Sequence, residues 1–291
     1  MAQTFATLAD RNGGGQVRVM LAAYLNEQLP RLLHAPAPLH ARLLSGATQL
    51  THLLAAMNDD SGHPGLAQRY FHTALDLAQQ AHNPRLYAIT LRALSTQALR
   101  LGQPRHALDL AEAALHTLAA GTDPGTEAFL LIQRAHAQAV NGHHREAVAD
   151  LTAAERRHTQ LDDTPGPFHT YPRAALDYQR AQTLAALGDV SNAVHALGSS
   201  LHHRDPAQRK SRLLTHARLA ELHLASGHVE EGTLHGRHFL EGYPLLRSTH
   251  ADTALHHLNE HLTRYPHQPH ATRLVQHLSI ARTPHRPRTG N

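Results

Sequence analysis

A glycine recurs along this chain at intervals of 40, 40, 46 and 39 residues, and small side chains keep fixed distances from it. In four of the five copies an alanine stands seven residues before the glycine, and in four of five an alanine stands five residues after it. The glycines are Gly62, Gly102, Gly142, Gly188 and Gly227. Self-similarity at a period of this size indicates a repeat architecture.

Each copy predicts a helical hairpin. Glycine readily takes the left-handed backbone conformation that ends a helix, so it would stop the first helix of the pair. Small residues on either side then let two antiparallel helices approach closely. The offsets match the tetratricopeptide pattern, whose usual period is about 34 residues. The sequence therefore predicts an all-α, right-handed tetratricopeptide-like helical-hairpin solenoid of about five degenerate repeats with terminal capping helices.

Segments rich in proline and glycine separate the copies and set the predicted boundaries. We expect a flexible N-terminal segment at 1–15, a single solenoid over 16–282 and a disordered basic tail at 283–291. The predicted repeat hairpins lie at about 38–82, 84–121, 125–161, 171–204 and 208–243, with a C-terminal cap at 251–282. No stretch of the sequence alternates convincingly as a strand would.

Composition excludes several classes of function. The chain has no cysteine, which rules out a disulfide framework, a thiol nucleophile and a cysteine-based zinc site. It also has no G-x-S-x-G elbow, no phosphate loop and no dinucleotide fingerprint. We therefore expect neither an enzyme nor a bound cofactor.

The charge balance is mildly basic, with a formal net charge of +4. A nucleic-acid binder usually concentrates its basic residues on one face, whereas the arginines here are scattered, so direct nucleic-acid binding is not expected. No apolar run approaches the ~18 residues of a membrane span, and no secretory leader is present. These features predict a cytoplasmic protein without a membrane partner.

The first helix of each repeat in such a solenoid lines the concave face, and helical geometry selects offsets −6, −3, +1 and +4 from the glycine. Most of these offsets are polar in the middle repeats, which predicts a groove for a peptide or protein partner. An ordinary solvated helix face is the alternative. The candidate groove residues are Asp59, Thr96, Leu99, Gln103, His106, His136, His143, Glu146, Gln182, Asp189, Asn192, Glu221, His228 and Glu231.

The 29 histidines raise the question of metal binding. The segment from His257 to His261 spells the H-x-x-E-H string of inverted zincins, but no acidic residue follows Glu260 to complete that zinc site. We therefore predict no metal site of that kind, and His250, His257 and His261 are the weak candidates for convergence on one ion. A histidine-mediated metal response or a pH response stays open as an alternative function.

Two segments resemble a known family. They are DRNGGG at 10–15 and the stretch 41–115, whose most specific part is SGHPGLAQRYFHTAL. Both resemble the C-terminal sensor region of actinobacterial Xre-type helix-turn-helix transcriptional regulators, where a tetratricopeptide-like array follows an N-terminal DNA-binding domain. The resemblance extends more weakly to about residue 282, and this chain begins about where that DNA-binding domain ends.

The resemblance implies a non-enzymatic regulatory or adaptor protein in transcriptional or developmental control. In such a protein the array binds a peptide, a small molecule or a protein, and the partner suggested here is a DNA-binding regulator. A homodimer stays open. The alternative is a DNA-binding transcriptional regulator that acts with, or as part of, an Xre-type protein.

Overall fold

The computed structural model describes residues 1–32, 36–118, 123–159 and 171–281, and all regular structure in these ranges is helical. The helices are α1 Ala2–Asn12, α2 Gly14–Leu32, α3 Ala37–Asp60, α4 Pro64–Gln80, α5 Pro84–Arg100, α6 Pro104–His116, α7 Pro124–Val140, α8 His144–His158, α9 Arg173–Ala186, α10 Val190–His203, α11 Arg209–Ala225, α12 Val229–Gly242, α13 Thr249–Leu262 and α14 Pro269–Ala281, with a 3-10 turn at Tyr243–Leu245. Among these helices, none combines the length and apolarity that crossing a bilayer requires.

Five hairpins turn at the recurring glycine, as predicted. The glycines lie between α3 and α4, α5 and α6, α7 and α8, α9 and α10, and α11 and α12. All five have positive φ angles, between 71° and 83°. This left-handed conformation strains any residue with a Cβ, so the glycine ends the first helix of each hairpin.

The small residues at fixed offsets are buried where the two helices of a hairpin touch. Four alanines that follow the glycine by five residues are fully buried: Ala67, Ala107, Ala147 and Ala193. In the second hairpin the fit is close enough for the Ser95 hydroxyl to donate a hydrogen bond to the Ala107 carbonyl at 2.7 Å. In the fifth hairpin Gly232 takes the place of alanine, because the Leu224 side chain fills the space that a Cβ would need. The hairpins are tetratricopeptide-like, and the predicted all-α fold class is confirmed.

Successive hairpins share clusters of buried side chains. Leu94 of α5, Ala114 of α6 and Leu130 of α7 belong to one cluster. Leu197 of α10 and Leu219 of α11 belong to another. Contacts between neighbouring repeats supply much of the stability of a solenoid. The hairpins therefore stack into a continuous array.

The N-terminal segment differs from the flexible stretch expected at 1–15. Residues Ala2–Asn12 form α1, and Phe5 of α1 is buried with Val17, Leu21 and Leu25 of α2. A short helix gains most of its stability from packing an apolar face, and α2 provides the surface for it. The expected basic tail at 283–291 lies outside the described residues.

The two ends of the array are in contact. Helix α1 packs on α11, where the Ser211 hydroxyl donates to an Asp10 carboxylate oxygen at 2.5 Å. Asp60 at the end of α3 accepts a hydrogen bond from Ser248, the residue before α13, also at 2.5 Å. These bonds hold α1 against the fifth hairpin, and the first hairpin against the segment that leads into α13.

Candidate functional site

A cavity of about 470 Å³ lies between the first helices of successive hairpins. Its walls come from α5, α7, α9, α11 and α13. Five of the predicted groove residues line it: Thr96, Leu99, His136, Gln182 and Glu221. Four of these stand six residues before the recurring glycine, so equivalent turns of equivalent helices face the same space. A sixth predicted residue, Asp59, is ion-paired with the lining residue Arg100.

The other eight predicted residues lie outside the cavity lining. They stand one or four residues after the glycine, at the start of the second helix of each hairpin, and are Gln103, His106, His143, Glu146, Asp189, Asn192, His228 and Glu231. All are exposed except Asp189, which is half-buried and caps α10 by accepting from the Asn192 backbone. The positive-φ glycine reverses the chain, so helical periodicity does not continue across it and these offsets face elsewhere.

Several lining residues were not among the predicted ones. Gln179 and Tyr178 stand nine and ten residues before Gly188, and Arg218 stands nine before Gly227. Those offsets lie one helical turn beyond the −6 position on the same helix face. Extending the predicted column by one turn would have found them, whereas Arg100 has no such periodic signal.

Hydrogen bonds join the cavity wall across repeats. The Gln179 amide lies 3.2 Å from the Gln133 side-chain oxygen and 3.1 Å from Nδ1 of His136. Thr96 donates to the same Gln133 oxygen at 3.0 Å. Helices α5, α7 and α9 are thus linked by one polar network, which fixes the side-chain positions in this wall.

A second part of the wall is charged. Arg218 of α11 donates to the Gln182 oxygen at 2.9 Å and to Glu221 at 2.7 Å. Glu221 is almost fully buried, and its contact with the Arg218 guanidinium offsets part of the cost of burying a carboxylate. The Arg218 side chain is about one-third exposed, so its guanidinium also faces the open space of the cavity.

Burial shifts the pKa values of two side chains in this wall, His136 and Tyr178. Desolvation, together with the positive charges of Arg218 and Arg92, lowers the pKa of His136 to about 4. The imidazole is therefore neutral at pH 7, and its Nδ1 can accept the Gln179 amide hydrogen. Burial likewise raises the pKa of Tyr178, which keeps its hydroxyl protonated.

Next to the cavity, Asp60 is the centre of a set of bonds that we call the clasp, formed by Gly14, Asp60, Lys210, Ser248 and His250. Asp60 accepts from the Gly14 backbone and from Lys210, both at 2.9 Å. His250 Nδ1 lies 3.1 Å from its other oxygen, which also accepts from Ser248. Burial alone would raise the pKa of Asp60, but these hydrogen bonds and charges outweigh it and hold the pKa far below its usual range.

The glycine triplet at 13–15 lets the chain enter this clasp. Gly13 has a φ of 84°, and a Cβ on it would collide with the Arg247 backbone. A Cβ on Gly14 would lie 2.6 Å from the Met57 carbonyl oxygen. The triplet is thus a packing junction between the N-terminal helices and the segment that leads into α13. The sequence drew attention to these glycines only through the family resemblance.

The three weak metal candidates do not converge on one point. His250 contacts Asp59 and Asp60, whereas His257 Nδ1 lies 3.6 Å from Glu221. The buried Nδ1 of His261 has no hydrogen-bond partner in the described part of the chain. Across the described ranges, no three His, Asp or Glu side chains are grouped so that they could hold a metal ion.

No family model and no curated protein matches the chain. It is similar to two crystal structures of tetratricopeptide-like repeats from a Podosopora anserina protein described as a kinesin light chain. Each is 18% identical and is matched over 77% of this chain, with 98% and 99% of the other chain covered and TM-scores of 0.43 and 0.42. A third similar structure is the Cut9–Hcn1 hetero-tetramer of the APC/C, at 16% identity, with 94% of this chain and 48% of that chain covered and a TM-score of 0.40.

Proposed function

We propose that this protein is a non-enzymatic regulatory adaptor that holds a segment of a peptide or protein partner in its concave cavity. The observation that supports this proposal is the convergence of five helices from different hairpins on one space of about 470 Å³. Ligand pockets commonly measure about 300–1,000 Å³, so the space suits a few side chains of a partner.

The lining also suits a peptide chemically. The Gln182 amide and the guanidinium of Arg218 can donate to peptide carbonyls and carboxylates, and the side-chain oxygen of Gln179 can accept from a peptide N–H. Leu99 and Leu214 supply apolar surface between these polar groups. Because the polar groups are already tied to one another, the wall is preorganised and a ligand would not have to order it.

The resemblance to Xre-type regulators supports transcriptional or developmental control as the setting. It makes a DNA-binding regulator the favoured partner and the cytoplasm the favoured compartment. The proposal requires no catalytic step and no cofactor.

Site-specific photo-crosslinking tests this function. A benzophenone amino acid replaces Thr253, which is exposed and lines the cavity, and in a matched variant it replaces Arg69, which is exposed on α4 away from the lining. Irradiation in the native cell extract, followed by mass spectrometry, should give a discrete adduct at position 253 and none at position 69. The same adducts at both positions, or none at 253, would contradict the proposal.

A further inference from the structure

Helix α1 crosses the array from one hairpin to another. At its start, Ala2 packs against a buried cluster that includes Ile89 of α5. Near its end, Asp10 accepts the hydrogen bond from Ser211 of α11. Between these points, Phe5 is buried in a cluster with residues of α2 and α3. This one helix therefore contacts the first, second and fifth hairpins.

The surface under α1 continues the concave side beyond the cavity. Ile89 stands seven residues before Thr96 on α5, and Ser211 stands three residues before Leu214 on α11. Thr96 and Leu214 both line the cavity. Residues three or seven apart lie on the same face of a helix. Helix α1 thus covers a part of the groove that lies one to two helical turns from the cavity.

The side chains that α1 presents to this groove form an apolar stripe. Ala2, Phe5, Leu8 and Ala9 all pack on buried clusters. Their spacing of three to four residues is that of an amphipathic helix. Recognition of a helix in a groove uses apolar anchors at this spacing. The groove is therefore matched to an amphipathic helix whose apolar stripe ends beside an acidic residue, as the stripe of α1 ends beside Asp10.

The docking of α1 is incompletely satisfied. Oδ2 of Asp10 and Nε of Arg204 are both buried without a hydrogen-bond partner in the described part of the chain. Burial lowers the pKa of Arg204, and the negative charge of Asp10 opposes that shift. Helix α1 also begins after Met1 without a side-chain cap. A helix of 11 residues is marginal by itself in water, and buried polar atoms without partners weaken its docking further.

We propose that the groove under α1 binds an amphipathic helix of the partner protein, and that α1 occupies the groove until that helix replaces it. This inference rests on the proposed function and specifies the partner segment as an apolar stripe followed by an acidic residue for Ser211 and Arg204. Only Gly13 separates α1 from α2, so α1 competes at a high effective concentration. A partner helix replaces it by making more complete contacts, including one with Nε of Arg204.

A fluorescein-labelled peptide with the sequence of residues 1–12 tests whether the groove accepts a separate helix. The full chain is compared with Phe5→Asp, which removes the buried anchor of α1, and with Thr7→Asp, at an exposed position of the same helix. In fluorescence anisotropy, Phe5→Asp should bind the peptide at least about tenfold more tightly than the wild type and Thr7→Asp do. Equal affinities of the three proteins would overturn the proposal.

Two altered peptides test whether this binding uses the contacts of α1. A peptide with Phe5→Asp should not bind, because it lacks the apolar anchor. A peptide with Asp10→Asn should bind more weakly than the unaltered one, because it carries no charge for Arg204. Equal binding of all three peptides would mean that the variant protein exposes a nonspecific apolar surface, and this result would also overturn the proposal.

Hydrogen exchange of the wild type covers the case in which Phe5→Asp disturbs folding. Amides of α1 should exchange at least about tenfold faster than those of α5, because a replaceable helix opens without global unfolding. Exchange of α1 as slow as that of α5 would make α1 a permanent part of the fold and would overturn the proposal.

Crosslinking at Thr253 distinguishes this inference from the proposed function. A discrete adduct at position 253, with no binding of the peptide by a folded Phe5→Asp variant, would refute the replacement of α1 alone. Peptide binding by that variant, with no adduct at position 253, would refute partner binding in the cavity and leave the groove under α1 as a helix site.

Discussion

His250 Nδ1 lies 3.1 Å from a carboxylate oxygen of Asp60, although the two residues stand at opposite ends of the array. The Nε2 atom of the same ring lies 3.4 Å from Asp59, which in turn pairs with Arg100 in the cavity wall. One imidazole therefore bridges two adjacent carboxylates and connects the clasp to the cavity. The concave side is therefore bounded by the long-range contact between Asp60 and His250 as well as by the stacked repeats.

Asp60→Asn should lower the free energy of unfolding by about 3 kcal/mol, because it leaves the half-buried Lys210 without its counter-charge. Urea denaturation at pH 7 measures the change. Asp76→Asn, at an exposed position of α4, is the matched control and should change stability by less than about 0.5 kcal/mol. Equal effects of the two substitutions would contradict a structural role for the clasp.

Asp60 stabilises the folded protein over a defined range of pH. The pKa of Asp60 in the folded protein lies below its unfolded value of about 3.9. Its contribution is therefore complete above about pH 4 and is lost as the pH falls through the lower, folded-state value. The Asp60→Asn variant should lose less stability than the wild type on acidification below about pH 4.

His136 should make the protein less stable in mild acid. Its pKa falls from 6.5 to about 4 on folding, so between those values the unfolded chain binds the extra proton. Stability is then complete above about pH 6.5 and declines as the pH falls toward 4. In His136→Gln, the slope of the unfolding free energy against pH should become smaller in this window. The decrease should correspond to the uptake of up to about one proton fewer on unfolding. The exposed His143→Gln is the control, and a slope unchanged in both variants would contradict the assignment.

Alanine should have opposite effects at two glycines. Gly14→Ala places a Cβ against the Met57 backbone and should destabilise the protein by about 2 kcal/mol or more. Gly46 lies inside α3 with open space where its Cβ would be, so Gly46→Ala should stabilise by about 0.5–1 kcal/mol. Thermal or urea unfolding checks both values. A Gly14→Ala variant more stable than the wild type would show that the Met57 backbone leaves room for a Cβ at this position.

The features of this molecule that could be predicted from its sequence are those that recur periodically along the chain. The recurring glycine and its small neighbours are local signals, and they predicted the hairpins and the −6 column that ends at Glu221. The residues after the glycine, such as His143, do not reach the cavity because the reversed chain starts a new helix face. The pairing of Asp60 with Ser248 and His250 joins distant parts of the chain, and no local pattern reports such a contact.

Arg218 and Glu221 should have a larger coupling energy than the two residues of an exposed ion pair. Glu221 is 9% exposed, so Arg218→Met leaves a buried carboxylate without its partner and should cost about 2 kcal/mol. Adding Glu221→Met removes that charge and should recover part of the loss. A double-mutant cycle by urea denaturation should therefore give a coupling energy of about 1–2 kcal/mol.

The control cycle uses Arg157 and Glu127, whose side chains are 45% and 30% exposed and whose ion pair spans 2.9 Å. Solvent screens this pair, so its coupling should stay below about 1 kcal/mol and should shrink further with added salt. If the two cycles gave the same coupling, the charged wall of the cavity would be as solvated as the outer surface. It would then lack the preorganisation on which peptide binding in the cavity is proposed to depend.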